Sequence, residues 1–316
     1  MGNLRVSNEA ILAKIESVYG TDPVPVVGTN AVLTMTPQLD FEGLRMVDRN
    51  PVRANINTLQ QVYGGTLAKL SFSCEIKGSG AAGTAPEIGT LLRMCAMGET
   101  IVAATSVTYK PISSSHESGT LYYYEGGRKL HKLTGARGNV TFRLAAGGLA
   151  VAEFEFTGHY TAPTDVSQPA PTYNSQVPRA ALNMAFSLGG VTSLIAREWS
   201  IGLNNTIAMP PSLAAADGYG EVQVTRQDVA GEIVMDAELA SVIDTDAQLI
   251  AGTGITWASG TLGSVAGNRI AFSSATSGLV WRNRQIGEAD GMRIRTKPFG
   301  LQDSSSGNDA VAVAFT

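Results

Sequence analysis

A chain of 316 residues with 23 Lys and Arg against 27 Asp and Glu carries a net charge of −4, so it offers no basic surface for holding a phosphate backbone. Charged residues are 16% of the chain and glycines number 35; globular domains usually carry about 25% charge, and this poverty suits a subunit covered largely by neighbours. Two cysteines and three histidines exclude a disulfide framework and any recognisable zinc-ligand spacing.

The N-terminal run Met1-Gly2-Asn3-Leu4-Arg5-Val6 lacks a signal peptide's apolar stretch, and Val6 stands where a myristoylation motif requires Ser or Thr. Asn183, Ser187, Gly189 and Gly190 make the uncharged stretch from Ala180 to Ala196 too polar to span a bilayer. The expectation is a protein made in the cytoplasm with no membrane partner.

In chain order, Ser7 is placed to cap a short helix with Ile11, Leu12, Ile15 and Tyr19 on one face, ended by Gly20, Pro23 and Pro25. The stretch between Leu39 and Leu67 has turn residues and no clear period, and it carries Arg45, Arg49 and Arg53. Loops of this length inside compact domains are usually functional. These arginines read either as a solvated loop or as an arm that pairs with acidic groups on a neighbouring subunit.

From Leu67 the pattern has period two: Leu70, Phe72, Cys74 and Ile76 alternate with Ser71, Ser73, Glu75 and Lys77, an antiparallel strand with one wet face. After a glycine-rich turn, Thr84-Ala85-Pro86-Glu87 predicts a capping box for a helix with Ile88, Leu91, Leu92 and Cys95 as its stripe and Gly98 as its stop. Both cysteines, Cys74 and Cys95, read as small core residues.

Further strands are predicted at Leu121 to Tyr124, Val140 to Leu144 and Ala152 to Tyr160, the last two joined as a hairpin by Ala146-Gly147-Gly148. In the last, Ala152, Phe154 and Phe156 alternate with Glu153, Glu155 and Thr157. Ala162-Pro163-Thr164-Asp165 and Gln168-Pro169-Ala170-Pro171-Thr172 read as a linker, which divides the chain into domains 1–166 and 167–316, the first with an N-terminal arm.

The second domain replays the first. A strand at Arg197 to Leu203 precedes a strand pair from Glu221 to Ala237, then a helical stretch with Leu239, Val242 and Ile243 on one face. Met292, Ile294 and Thr296 then alternate with Arg293, Arg295 and Lys297, and the run Ala310 to Phe315 closes the chain. Glu75-Ile76 aligns with Glu232-Ile233 and Phe156 with Phe315, offsets of about half the chain. Fold class is therefore mainly β: two tandem β-sandwich or half-barrel modules, each with one packed helix.

Gly78-Ser79-Gly80-Ala81-Ala82-Gly83 matches the dinucleotide pattern G-x-G-x-x-G, with Glu99 where a ribose-binding acid would sit. The strand before it alternates apolar and charged, unlike the doubly buried first strand of a parallel sheet. No series of βαβ units follows, so the glycines read as a tight turn. His116, His131 and His159 stand far apart and no nucleophile or P-loop motif occurs. The residues predict no enzyme, no catalytic residue, no metal and no cofactor.

Several segments together resemble the major tail tube proteins of long, flexible-tailed bacteriophages. They are Tyr19-Gly20-Thr21-Asp22-Pro23 with Asn30-Ala31-Val32-Leu33, the Leu70 to Ile76 strand running into Gly78-Ser79-Gly80 and Thr84-Ala85-Pro86, and Gly135-Ala136-Arg137-Gly138 leading to Phe154-Glu155-Phe156-Thr157-Gly158 and Ala162-Pro163-Thr164-Asp165. The resemblance covers the first half; the second half is tied to it through the repeat, and could be a second tube module or an external decoration domain.

The resemblance implies a virion protein whose rings stack into a tube that conducts double-stranded DNA without binding it. Three two-module chains per ring are favoured over six, and the partners are the tail terminator, tape-measure and distal tail proteins. Glu75, Glu153 and Glu155 are the expected lumen-facing acids, and Arg45, Arg49 and Arg53 the expected inter-subunit arm. A carbohydrate-binding or adhesin-type β-sandwich fits the composition as well, and predicts a stable monomer or small oligomer where the tube reading predicts rings and polymers.

Overall fold

The computed structural model describes residues 8–316; Ser7, the expected helix cap, lies outside them. In chain order the elements begin with β1 (Ala10–Ile15), β2 (Ala31–Val32), β3 (Met35–Glu42), β4 (Met46–Val47), β5 (Val62–Tyr63), β6 (Leu67–Glu75), α1 (Gly89–Met94), β7 (Met97–Val102) and β8 (Ser106–Pro111). Next come β9 (Gly119–Glu125), β10 (Lys129–Ala145), β11 (Val151–Asp165), β12 (Ser187–Leu188), β13 (Ala196–Gly202), β14 (Thr206–Ala208), β15 (Gln223–Arg226) and β16 (Ala230–Asp236). The chain ends with α2 (Thr245–Ala251), β17 (Trp257–Leu262), β18 (Ile270–Ser274), β19 (Leu279–Trp281), β20 (Gln285–Ala289), β21 (Met292–Leu301) and β22 (Val311–Phe315).

One long antiparallel sheet runs in the order β19-β21-β16-β13-β10-β11-β6-β3, with β20 sharing the β19 edge and β9, β1 and β2 branching from β10. The two halves meet at β10 and β13, with Thr141 opposite Gly202 and Ala145 opposite Glu198. A second sheet, β12-β17-β18-β22-β8-β7, also mixes the halves, since β22 pairs with β8. The sheets face each other across one core. In it Phe142, Trp199 and Phe272 meet at ring separations of 5.2 and 4.8 Å, and Trp257 stands edge-on to Trp199 at 5.4 Å.

The branch at β10 is made by a bulge between Thr134 and Arg137. Gly135 takes φ +61° there, a conformation glycine adopts without penalty. The bend lets the first part of β10 pair with β9 and the last part with β13. At Gly138 a Cβ would stand 2.1 Å from the Glu155 carbonyl oxygen, so only glycine permits that strand contact. Arg137 then reaches into the other half: its guanidinium donates to Glu221, to the Val222 carbonyl and to the His116 carbonyl at 2.7, 2.6 and 2.7 Å.

Several predicted features are corrected. The expected helix around Ile11 is strand β1, inserted between β2 and β9. Ile11 and Ala13 enter the main core while Ala10 and Leu12 enter a second cluster with Tyr122 and Tyr124, so burial on both faces mimicked a helical stripe. Helix α1 forms with Leu91 and Leu92 buried, but without a side-chain cap; Glu87 instead accepts from the Leu33 amide and pairs with Lys77 at 3.5 Å. Ala96, at φ +60°, makes the left-handed exit, and Gly98 already belongs to β7.

In the second half, α2 begins only at Thr245 and buries no residue, while Leu239 is exposed. Asp244 caps it, accepting from the Asp246 and Ala247 amides, a stronger start signal than the apolar spacing upstream. Phe315 sits in β22 of the second sheet, so it is not the counterpart of Phe156. Ala162 to Asp165, read as linker, still belong to β11.

Helix α2 is pinned through Asp246, which pairs with both Lys297 and Arg284. Lys297 is wholly buried and donates to Asp246 at 2.7 Å, with its ammonium 5.5 Å from the Trp281 ring centre. The Lys297 hydrogen bond holds the Asp246 carboxyl below its ordinary value, against the opposing effect of burial. Asp246→Asn is expected to cost about 2 kcal/mol in urea unfolding at neutral pH. A carboxyl held low stabilises the fold above its unfolded pKa and loses that contribution as pH falls through the folded one. The difference between wild type and variant should therefore disappear on acidification below the ordinary aspartate range.

Candidate functional site

Strand alternation builds an acid-rich face on the long sheet. Leu70, Phe72 and Cys74 of β6 and Ala152, Phe154 and Phe156 of β11 enter the core, which turns Lys69, Ser71, Ser73, Glu75, Glu153 and Glu155 the other way. Register extends the face: Glu153 lies opposite Ser73 and Thr141, Arg143 opposite Ser200, Ser200 opposite Glu232, and Asp40 opposite Lys69. Glu198, next to Trp199 of the core, points out with Ser200.

The carboxylates Asp40, Glu75, Glu153, Glu155, Glu198 and Glu232 thus share a face with Lys69 and Arg143, and at the end of β16 Asp236, which alternates with Glu232, binds a third cation, Arg197, at 2.6 Å. Two depressions open on it. One is floored by Ser71, Ser73, Asn139 and Thr141, the other by Arg143, Ser200, Glu232 and Val234, and Glu153 lines both.

The three expected acids do fall together, but two of them are neutralised. Glu155 pairs with Lys69 at 2.7 Å and Glu153 with Arg143 at 2.9 Å. Glu75, Glu198, Glu232 and Asp40 have no ion-pair partner among the described residues, so the negative potential is centred on them. Lys77, expected beside Glu75, is buried past the end of β6 and donates to the Asn174 carbonyl at 2.8 Å. Sequence reasoning missed Glu198 and Glu232, although the alignment of Glu75 with Glu232 already held the signal.

The stretch between β3 and β6 projects as an arm. Met46 opposite Tyr63 and Val47 opposite Val62 form its two-stranded stem. Beyond the stem, Val52 and Ile56 are fully exposed, with Val47, Val62 and Tyr63 also uncovered. The three arginines separate: Arg45 stacks 4.0 Å from the Tyr219 ring centre at the root, Arg53 donates to the Asn57 carbonyl, and Arg49 has no partner among the described residues. Arg45 is thus engaged within its own chain.

A half-buried polar chain holds the segment under that root. Tyr19 OH meets His159 Nε2 at 3.1 Å, and His159 Nδ1 meets Asp217 at 2.5 Å. The Val222 amide donates to Tyr19 at 2.7 Å. Burial raises the Tyr19 hydroxyl to about 12, so it stays neutral and serves as a tether, not a nucleophile. Nearby, Tyr219 OH donates to the Gly43 carbonyl. Both cysteine thiols are buried and pushed up by desolvation, which leaves them unreactive.

The glycine-rich turn is occupied by its own chain. The Gly78 amide donates to Asn268 Oδ1 and the Gly80 amide to the Gly267 carbonyl, and a Cβ on Gly78 would stand 2.0 Å from that carbonyl oxygen. These glycines serve backbone contact between the halves, and the amides needed to cradle a phosphate are already bonded.

The family model for the phage tail tube protein matches residues 7–315. No curated protein matches the chain. No helix among the described residues is long and apolar enough to cross a membrane.

The surface pairs Lys69–Glu155 and Arg143–Glu153 should neutralise charge while adding little stability. A double-mutant cycle to alanine at each pair is expected to give a coupling of about 0.5 kcal/mol that fades in high salt.

Proposed function

Because the chain belongs to the phage tail tube protein family, as a structural component of the virion tail that self-assembles into a tube, we propose that three copies close into a ring whose bore is the acid-rich face. The carrying observation is the long sheet, in which β3, β6, β10 and β11 of the first half and β13, β16, β20 and β21 of the second pair in the same order, first-second-fourth-third. Two tube modules in tandem, split near residue 166, account for that repetition, and the second is then a tube module instead of a decoration.

Strand spacing supports the copy number. Eight strands at about 4.8 Å cover roughly 38 Å of arc, so three chains make a bore of roughly 37 Å between backbones, widened by strand tilt. That leaves room for a duplex after the side chains are added. Six chains would give roughly twice that width and need half the curvature. Ring closure also covers the open edges at β3 and β20, which would otherwise template aggregation.

The bore repels phosphate through Glu75, Glu198, Glu232 and Asp40, while Lys69, Arg143 and Arg197 are held by Glu155, Glu153 and Asp236. The ring passes double-stranded DNA and retains none of it. The arm, with Arg49 and Arg53, contacts neighbouring copies, and the tube's ends meet the tail terminator, distal tail and tape-measure proteins. The match over residues 7–315 leaves the adhesin-type reading without support.

Electron microscopy of tubes assembled from the purified chain tests the ring: threefold symmetry with a sixfold-like density is expected, and six copies per ring would refute it. Glu75→Lys with Glu232→Lys is expected to leave tubes intact and to slow DNA delivery by about tenfold, as trapped phosphate contacts accumulate. Unchanged delivery kinetics would remove the bore assignment.

A further inference from the structure

The chain contains one Asp-Pro bond, Asp22–Pro23, in the loop between β1 and β2. Such bonds break in acid more readily than other peptide bonds. The proline nitrogen has no hydrogen and, as a tertiary amide, takes up a proton more easily, while the aspartate carboxyl can reach its own carbonyl carbon. Val24, the residue after that proline, holds φ +53°. A β-branched residue is strained there, and Val24 is exposed, so burial does not offset the strain.

The Asp22 carboxylate is engaged away from its own carbonyl. Oδ1 accepts from the Val24 amide at 2.8 Å, and Oδ2 accepts from the Tyr122 hydroxyl and from Lys132 Nζ, the latter at 3.1 Å. Lys132 also donates to the Tyr122 oxygen at 2.9 Å and lies 4.5 Å from that ring's centre. Across the bond, Lys14 Nζ donates to the Pro23 carbonyl at 2.9 Å. Lys14 of β1, Tyr122 of β9 and Lys132 of β10 are thus the titratable groups that face Asp22 and Pro23.

We propose that Asp22–Pro23 is a self-cleavage site that Tyr122 and Lys132 hold closed. Once released, a carboxyl oxygen of Asp22 attacks the Asp22 carbonyl carbon and forms a five-membered cyclic anhydride. The bond to the Pro23 nitrogen breaks, and that nitrogen leaves as a secondary amine carrying a proton taken from the solvent. One water then opens the anhydride, so Asp22 becomes a C-terminus with both carboxyl groups and Pro23 a new N-terminus. Ring closure through the nitrogen, open to other aspartyl bonds, is barred because proline has no N–H.

The clamp and the chemistry respond to acid in the same direction. Burial raises the Asp22 carboxyl, but the bonds from Tyr122, the Val24 amide and Lys132 outweigh it and hold the group below its ordinary value. A carboxyl held low keeps these partners until pH falls through its folded value. The clamp therefore opens in the acid that also protonates the proline nitrogen. Cleavage leaves the fold joined, since β1 keeps six residue pairs with β9 and two with β2. The strained Val24 turn relaxes, and the fragments part only on denaturation.

Incubation of the full chain in mild acid tests the site, with denaturing gels and intact mass reading fragments 1–22 and 23–316 and near-UV circular dichroism confirming the native state. Lys132→Gln is expected to speed cleavage by about tenfold, the effect of losing one charged hydrogen bond. Asp22→Asn and Pro23→Ala, each combined with Lys132→Gln, are expected to abolish both fragments. A native Lys132→Gln chain that cleaves no faster than wild type would overturn the clamp. Fragments that persist with Asp22→Asn would overturn the self-cleavage route, and so would their absence from every chain. If Lys132→Gln loses its native spectrum in acid, Tyr122→Phe alone supplies the same comparison.

Discussion

The architecture depends on the ladder between β10 and β13. Five residue pairs from Thr141–Gly202 to Ala145–Glu198 join what would be two four-stranded sheets into one. Antiparallel pairing fixes which side chains share a face, and a slip of one residue would exchange the polar and apolar sets. With the register as it stands, Phe142, Trp199 and Ile201 enter the core while Arg143, Glu198 and Ser200 continue the acid-rich face. The ladder leaves two open edges, and an open sheet with one acid-rich face is suited to closure with copies of itself.

The second sheet secures that joint. Strand β22 pairs with β8, so the end of the chain lies against the first half, and the turn at Gly267 packs on the turn at Gly80. Arg137 adds a buried cation whose donors serve carbonyls and a carboxylate from both halves. Breaking such a group apart leaves buried charge and unpaired carbonyls, which costs more than the pair contributes in isolation. The halves therefore share a core and behave as one body, with the glycines that resembled a nucleotide loop serving as contact points between them.

Much of this was legible because alternation is a strong signal. The strands at 67–76, 152–160, 197–203 and 292–297 follow directly from period-two patterns, and so does the sharing of one face by Glu75, Glu153 and Glu155. The failures have physical causes. Strand β1 is covered on both sides, so Ile11, Leu12 and Ile15 lost their alternation. The short strands β17 to β20 are punctuated by Gly260, Gly263 and Gly287 and carry too little pattern in each segment. The cap of α1 was misassigned because Glu87 binds the distant Leu33 amide and Lys77, a use that local spacing cannot reveal. The arm's length was visible, but the separation of Arg45 from Arg49 and Arg53 required the position of Tyr219.

Under the proposed bore assignment, a modest net charge suffices. Binding of a duplex is driven by cations that displace counterions from phosphates, so a conduit needs to lack available cations more than it needs a large negative charge. Lys69, Arg143 and Arg197 are each bound by a carboxylate, at 2.7, 2.9 and 2.6 Å. Such exposed pairs add little to stability, yet they keep ammonium and guanidinium groups directed along the wall. The remaining carboxylates act over a Debye length of about 8 Å at physiological salt, enough to hold phosphates off the wall without a steep field. The same pairing leaves the proposed bore wall without a free ammonium or guanidinium group on which a sliding duplex would stop.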